Sequence, residues 1–328
     1  MMFESKRKTV GLYLSWWKTW RTLPVRPWIR AAQSYSEGKF DAAQRFYEKG
    51  LAKHPHHPAN IGARLDLAYC LFRGRRFKDA EAMLRYIIAQ APKVREAYVR
   101  LAKLQLWFGQ SLEAAWTMRR GLKSLDHDAE LVSIFLLAVL ENGGPSYLLE
   151  EAERALGALP EKERAHPKLN VAQARLAIYR GNYEEGKRQL IEIASRAHPP
   201  IEALMILSEI LLHENKIAYA RQQLRRALVL SSEHPRVHSL LAISYLKSGL
   251  FYNPGFAQQL ATTACQSSGW FSPREMHVLA ESYYHSGDKE GALVVASRAK
   301  QVGTRLFGSY KQVRMLEKLI DSISGSQA

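Results

Sequence analysis

The apolar positions of this chain recur every three and four residues, the period of an amphipathic helix, and the pattern restarts many times. In GRRFKDAEAMLRYI (74–87) and NKIAYARQQLRRAL (215–228), a turn comes first and a small residue follows it. A larger residue lies four positions on, and a small or apolar one lies three beyond that. Upstream segments such as EALMILSEILL (202–212) have a helical pattern of their own. The pattern therefore predicts consecutive pairs of helices.

The first small residue of each copy marks a regular repeat. Successive copies are 34 to 38 residues apart, a spacing that chance does not maintain from residue 43 to residue 292. One helix pair cannot bury its apolar face alone, so stacked pairs are expected, with small residues where helices approach closely. The anchors of the eight copies are Ala43, Ala80, Ala114, Ala152, Gly186, Ala220, Ala257 and Ala292.

This arrangement resembles the tetratricopeptide repeat family, whose repeat of about 34 residues contains two helices. The resemblance covers roughly residues 24–300, as about seven to eight degenerate repeats, and is best at 201–232. It implies an all-α fold, a helix-turn-helix superhelical solenoid with a C-terminal capping helix. The expected domains are an arm at 1–23, the repeat array at 24–301, and the capping helix with a short polar tail at 302–328.

Two copies depart from the pattern, and the chain ends on a different one. ENGGPSY (141–147) and FYNPG (251–255) are predicted to lengthen the turn between the two helices of their copies. After the last copy, an apolar stripe predicts a helix that covers the open end of the array. The stripe consists of Tyr310, Val313, Leu316, Ile320 and Ile323.

The resemblance also implies a binding surface, because first helices line the concave face of arrays in this family. Trp28 and Glu209 occupy two of those positions. The positions proposed to contact a partner are Tyr69, Phe72, Arg73, Val99, Lys103, Leu106, Trp107, Arg175, Tyr179 and Met205. Their mixture of aromatic, apolar and cationic side chains suits a peptide or an amphipathic helix with hydrophobic anchors and some acid. The alternative is that several of them are helix-packing core.

The N-terminal arm combines tryptophans with cations. As a helix, residues 10–23 would place apolar and aromatic side chains on one side. Such a helix could lie in an anionic membrane surface, cap the first repeat, or dock on a membrane-protein partner, and the sequence leaves the three open. The anchor residues are Tyr13, Trp16, Trp17, Lys18, Trp20 and Arg21.

The formal net charge of +16 adds an alternative function. A basic excess attracts anionic surfaces, and RGRRFK (73–78) and MRRGLK (118–123) could contact nucleic-acid phosphates. Solvated turns and helix faces explain the same clusters more simply. The mostly apolar groove also argues against a surface that reads RNA bases. Nucleic-acid binding or regulation is therefore the alternative to a protein-interaction scaffold.

No catalytic motif is present in the sequence, so we expect a non-catalytic protein without cofactor or metal. KHPHHP (53–58) groups three histidines, but prolines hold it extended and no carboxylate or thiol is near in sequence. Two widely separated cysteines predict buried free thiols. No apolar run is long enough to span a bilayer, and the N-terminus fits a secretory signal poorly. A cytoplasmic location is expected, either free or on the inner face of the cytoplasmic membrane.

Overall fold

A computed structural model describes residues 26–142, 145–164, 166–307 and 313–325. Within these ranges the chain consists of α-helices joined by short connections, without a strand. The helices are α1 (Arg26–Ser36), α2 (Phe40–Lys53), α3 (Asn60–Arg73), α4 (Phe77–Gln90), α5 (Arg95–Trp107), α6 (Ser111–Ser124), α7 (Ala129–Asn142), α8 (Ser146–Ala158), α9 (Glu161–Arg164), α10 (Pro167–Tyr179), α11 (Tyr183–Ser195), α12 (Ile201–His213), α13 (Ile217–Leu230), α14 (Pro235–Leu246), α15 (Pro254–Ser267), α16 (Pro273–His285), α17 (Lys289–Phe307) and α18 (Val313–Gly325). The predicted all-α, repeat-based fold is confirmed.

The described chain divides into two compact units. The N-terminal unit holds residues 26–104 and 123–125, and the C-terminal unit holds residues 105–122 and 126 onward. In the N-terminal unit α1 packs on α2, α2 on α3, and α3 on α4. In the C-terminal unit each pair packs on the next, and the first helices α10, α12, α14 and α16 also contact one another in sequence. Each unit is therefore a stack of helix pairs.

The predicted anchor positions lie at the helix crossings. All eight are buried, and the seven alanines among them are at most 1% exposed. A small side chain at these places lets two helix backbones approach closely, which a larger residue would prevent. The repeat anchors inferred from spacing alone are thus the packing contacts of the fold.

The same turn joins the two helices of six pairs. One residue adopts a positive φ, and the N–H of the next residue donates to the carbonyl oxygen five positions earlier, at 2.8–3.0 Å. This bond satisfies a carbonyl that the helix end would leave without a partner. The positive-φ residues are Gly38, Arg75, Gly109, Gly181, Asn215 and Gly287. A single local motif therefore sets how each of these pairs folds back on itself.

The two predicted departures have different outcomes. Helix α14 ends at Leu246 and α15 begins at Pro254, so the connection at 247–253 is long, as predicted. Helix α7 ends at Asn142 and α8 begins at Ser146, a gap no longer than the other within-pair turns. The prediction that ENGGPSY lengthens its turn is wrong, because α7 extends through the first two residues of that motif.

The terminal helix α18 covers the last pair. It packs on α17 and α16, with Leu316 and Ile323 buried and Val313 and Ile320 half-buried. Arg314, Lys318 and Asp321 lie toward its other side and are exposed. This amphipathic division is what a capping helix requires. Tyr310, the remaining member of the predicted stripe, is outside the described residues.

One anchor provides a test of close packing. We expect Gly186→Ala to lower the free energy of unfolding by about 1–3 kcal/mol, because helix packing there leaves no room for a methyl group. A Cβ at position 186 would lie 2.5 Å from the carbonyl oxygen of Ala174 and 2.6 Å from Cγ1 of Ile178. Urea denaturation followed by circular dichroism measures the change.

Gly157, near the end of α8, is the matched control. A Cβ at that position would meet nothing within 4 Å. Gly157→Ala should leave stability unchanged or raise it by up to about 1 kcal/mol, the helix-propensity difference between the residues. Equal destabilisation by the two changes would contradict the packing explanation.

Candidate partner-binding site

An aromatic cluster joins four helices of the N-terminal unit. Tyr35 of α1 lies 5.8 Å from Phe40 of α2 and 5.3 Å from Tyr69 of α3, measured between ring centroids. Phe40 and Tyr69 are 5.4 Å apart, and Tyr69 lies 6.5 Å from Phe72. Phe72 in turn lies 5.7 Å from Phe77 of α4. These five residues form the aromatic cluster.

Arg73 adds a cation to the outer side of this cluster. Its guanidinium carbon lies 4.9 Å from the ring centre of Phe40, and Nη1 donates to the hydroxyl of Tyr69 at 3.5 Å. Arg73 is exposed, whereas Phe40, Tyr69 and Phe72 are half-buried. The result is a surface that is apolar at its base and positively charged at its edge. Of the predicted site residues, Tyr69, Phe72 and Arg73 are brought together here.

A buried polar network supports the cluster from below. The hydroxyl of Tyr47 donates to Oδ2 of Asp66 at 3.1 Å, and Nη1 of Arg100 lies 3.9 Å from Oδ1 of the same carboxylate. Arg100 also donates to the carbonyl oxygen of Leu65 at 2.7 Å. Burial raises the pKa of Asp66 to about 6, although Arg100 and Tyr47 act in the opposite direction. Burial and the nearby Asp66 raise the pKa of Tyr35, so its phenol stays protonated. The network fixes α3 against its neighbours.

Two predicted residues are buried. Val99 is a core residue of the N-terminal unit, and Trp107 is 6% exposed in the C-terminal unit. The indole N–H of Trp107 donates to the carbonyl oxygen of Ser267 at 3.0 Å, and its ring lies 4.9 Å from that of His234. Close by, the rings of Phe108 and Phe271 are 5.8 Å apart. The end of α5 is therefore packed against the segment that precedes α16, and Val99 and Trp107 have little surface to offer.

The other predicted residues of the C-terminal unit lie on several helices. Tyr179, at the end of α10, is 56% exposed, while Arg175 one turn earlier is half-buried. Met205 is half-buried against the core cluster around Leu204 and Leu240. Leu106 is half-buried in this unit, and Lys103 is half-buried in the N-terminal unit. Arg175 and Tyr179 share a face of α10, whereas Met205 mainly contributes to packing.

A charged network lies on the first helices of the C-terminal unit. Nη2 of Arg236 lies 2.7 Å from Oε1 of Glu209. Arg274 pairs with Glu141 of α7, and its Nε donates to Oε1 of Glu275 at 3.0 Å. Burial acts to raise the pKa of Glu209, but Arg236 and Arg175 outweigh it and the pKa is lowered overall. This face is therefore more polar than the apolar groove that the sequence predicts.

Buried histidine borders this network. Burial lowers the pKa of His234 to about 3, and the cations Arg274 and Arg236 contribute in the same direction. The pKa of Arg274 is raised, because Glu275, Glu141 and Glu209 more than offset the effect of its burial. Glu141, Arg236 and Arg274 are not among the site residues predicted from the sequence. Acidic and basic residues on successive first helices could have indicated a charged network in the sequence. Which of them pair depends on how the helices pack.

The histidine-rich turn has a structural role. The ring of His57 lies edge-on to that of Trp28, with centroids 5.1 Å apart, and Nδ1 of His57 accepts from the N–H of Ala59 at 3.1 Å. No group of three or more metal-ligating side chains occurs in the portion of the chain that the structure covers. No described helix has the length and apolar content to cross a membrane. The arm anchors Tyr13, Trp16, Trp17, Lys18, Trp20 and Arg21 all precede the first described residue.

Solved tetratricopeptide structures resemble this fold. Yeast Tom70 superimposes with a TM-score of 0.51 at 14% identity, over 92% of this chain and 64% of its own. A tetratricopeptide repeat protein from Parabacteroides merdae gives 0.49 at 13% identity, over 91% of this chain and 98% of its own. A tetratricopeptide repeat protein from Thermus thermophilus gives a TM-score of 0.39 at 20% identity, over 57% of this chain and 98% of its own. At these identities the likeness concerns the fold alone. No curated protein matches the sequence.

The sequence itself identifies the repeats. A profile of the tetratricopeptide repeat matches residues 34–106, and a second profile of the same repeat matches residues 171–251. The first match falls almost entirely on the N-terminal unit and the second on the C-terminal unit, and each spans several helices described above. The anchors within them are buried at helix crossings, as the repeat requires. The chain therefore carries tetratricopeptide repeats in both of its units, at residues 34–106 and 171–251.

Proposed function

We propose that the chain is a non-catalytic protein-interaction scaffold that holds a segment of a partner protein against the aromatic cluster. Tetratricopeptide repeats are in general non-catalytic interaction modules, which supports the class of function. The observation that carries the site is the half-buried group of Phe40, Tyr69 and Phe72 beside the exposed Arg73. Half-buried aromatics on a rigid base are typical of the residues that dominate binding at protein interfaces.

The chemistry of this surface indicates the partner. Ring edges and faces at Tyr69 and Phe72 suit an apolar or aromatic anchor, and Arg73 suits a carboxylate beside it. A peptide or amphipathic helix with one apolar anchor and a nearby acid meets both requirements. Arg76, in the following turn, is less available, because its Nε is 2.7 Å from Oδ2 of Asp79. The partner is therefore proposed to be acidic and amphipathic.

Other predicted positions extend the proposal. Lys103, Leu106, Arg175 and Tyr179 are at least partly exposed and remain candidates for secondary contacts. For the N-terminal arm, three roles are proposed. It attaches to the cytoplasmic face of a membrane, caps the repeat array, or docks on a membrane complex. These are independent of binding at the aromatic cluster.

Charge reversal at Arg73 tests the proposal. We expect Arg73→Glu to lower by at least tenfold the recovery of partner proteins that copurify with the full chain from its native cells, as quantified by mass spectrometry. Affinity of a synthetic peptide from the recovered partner, measured by calorimetry, should fall by a similar factor, since a charge-assisted contact becomes repulsion. Circular dichroism establishes that the variant is folded.

Arg188→Glu is the control, because Arg188 is an exposed arginine on α11 of the other unit. It changes the net charge equally and should retain the partner. Equal loss with both variants would mean that total charge, and not this site, governs binding. Full retention with Arg73→Glu would reject the site.

Nucleic-acid binding remains the alternative function. Arg119, in the second basic cluster, donates Nε to both carboxylate oxygens of Glu151, at 2.7 and 2.8 Å. Its guanidinium also lies over the ring of Trp116 at 4.9 Å. Ion pairing of this kind reduces the charge available to phosphates, which favours the protein-interaction proposal. Salt-dependent binding of RNA or DNA, unaffected by Arg73→Glu, would favour the alternative.

A further inference from the structure

The connection between α14 and α15, residues 247–253, presents an apolar tip. Leu250 is 93% exposed, Phe251 60% and Tyr252 43%, and Phe256 on the first turn of α15 is also exposed. Contiguous apolar side chains that face water mark an interaction surface more often than scattered ones do. These four residues form the apolar tip.

The backbone of this connection is held in place. Arg221 of α13 donates to the carbonyl oxygen of Ser244 at 2.7 Å, to its hydroxyl at 3.0 Å and to the carbonyl oxygen of Phe251 at 3.4 Å. The guanidinium also lies 3.9 Å from the ring centre of Tyr245 and 5.3 Å from that of Phe251. The oxygens that accept these hydrogen bonds are neutral. The buried guanidinium of Arg221 therefore holds the backbone of the connection in place.

Both ends of the connection are fixed as well. The N–H of Asn253 donates to the carbonyl oxygen of Tyr245 at 2.9 Å, and Oδ1 of Asn253 accepts from the N–H of Phe256 at 2.9 Å, which caps α15. The hydroxyl of Tyr252 lies 3.1 Å from Nδ1 of His285. With the backbone ordered in this way, Leu250 and Phe251 are presented to solvent and do not fold back onto the core.

The surrounding sequence is depleted of acids. Residues 215–274 contain seven lysines and arginines, and Glu233 is their single acid. Of these cations, Arg225, one turn after Arg221, is exposed, and Lys247 in the connection itself is exposed as well. Asp288, in the next within-pair turn, accepts from the N–H of Gly291 at 2.8 Å and so caps α17. Three of the seven cations, Lys216, Arg236 and Arg274, pair with acids outside this stretch. The positive charge beside the apolar tip is therefore that of Arg225 and Lys247.

We propose that the apolar tip inserts into the interfacial region of an anionic lipid bilayer. Aliphatic and aromatic side chains at a projecting tip can enter the boundary between headgroups and acyl chains, where tyrosine and phenylalanine are favoured. Lys247 and Arg225 would then face anionic headgroups, which complements their charge. This contact is separate from the aromatic cluster and involves no residue of the arm, so it stands whether or not the proposed function does.

A fluorophore at the tip tests insertion directly. In the full-length Leu250→Cys variant, a thiol-reactive, environment-sensitive dye such as NBD should label position 250 selectively, because Cys70 and Cys265 are buried. We expect a severalfold rise and a blue shift of its emission with vesicles of equal parts phosphatidylcholine and phosphatidylglycerol. Spin-labelled acyl chains should quench the emission. Vesicles of phosphatidylcholine alone should give a much smaller response.

Val294→Cys, an exposed position on α17, is the labelling control and should respond little. In flotation, Leu250→Ser with Phe251→Ser should reduce vesicle binding severalfold, while Val294→Ser should not. Unchanged emission at position 250 while the chain floats would assign membrane binding to another segment and overturn the proposal. Absence of binding to anionic vesicles, or a response at position 250 to a protein partner alone, would overturn it too.

Discussion

Arg274→Met is expected to lower the free energy of unfolding by about 3–5 kcal/mol, the cost of breaking a buried ion pair by removing one partner. Arg274 is the cation between Glu141 and Glu275, and Glu275 is fully buried. Methionine keeps most of the side-chain volume, so the loss would come from the two carboxylates left without their partner. Chemical denaturation at pH 7, followed by tryptophan fluorescence, measures it.

Two comparisons separate this explanation from a general effect of removing arginine. Arg188→Met removes an exposed ion pair with Glu185, in which Arg188 is 78% exposed, and should cost well under about 1 kcal/mol. Part of the Arg274→Met loss should be recovered near pH 5, because a carboxylate without its cation can take up a proton. If Arg274→Met lowered the free energy of unfolding equally at both pH values, unpaired buried carboxylates would not be the cause.

Trp28→Ala is expected to destabilise the N-terminal unit by about 3–5 kcal/mol, the usual cost of emptying a large aromatic site in a core. Trp28 is fully buried and packs over Gly50 of α2. A Cβ at position 50 would lie 2.2 Å from Nε1 of Trp28, so Gly50→Ala should displace the same indole. The effect is measured by thermal and urea unfolding monitored by circular dichroism.

Ile29→Ala is the neighbouring control, since Ile29 is exposed on the same helix. It should change stability by less than about 1 kcal/mol, as surface substitutions usually do. If Gly50→Ala were neutral while Trp28→Ala was costly, the close contact between the two residues would be disproved. Comparable effects of Trp28→Ala and Ile29→Ala would disprove burial of the indole as the cause.

The burial of Trp28 could not be predicted from the sequence. Its position within the repeat placed it on the proposed binding surface, yet the structure buries it against Gly50 and His57. Trp107 is a second case, since it donates to Ser267, a residue 160 positions away. Helical periodicity gives the direction of a side chain relative to its own helix. It does not reveal which distant segment covers that side chain.

For the aromatic cluster, sequence and structure agree more closely. Tyr69, Phe72 and Arg73 lie within about one turn of α3, so their common face follows from helical geometry. Phe40 and Tyr35 complete the cluster from the preceding helix pair, and their contribution depends on how the pairs stack. The residues of one helix were therefore predictable as a group, whereas their neighbours were not.

The sequence by itself determined the helices, the repeat, the buried anchors and the amphipathic helix α18, because each depends on local propensity or on a spacing that recurs along the chain. Tertiary structure alone decided which of the predicted surface positions are exposed. It also paired Arg274 with Glu141 and placed Arg221 under the apolar tip. These contacts join residues 23 to 133 positions apart, which only packing of helix on helix brings together.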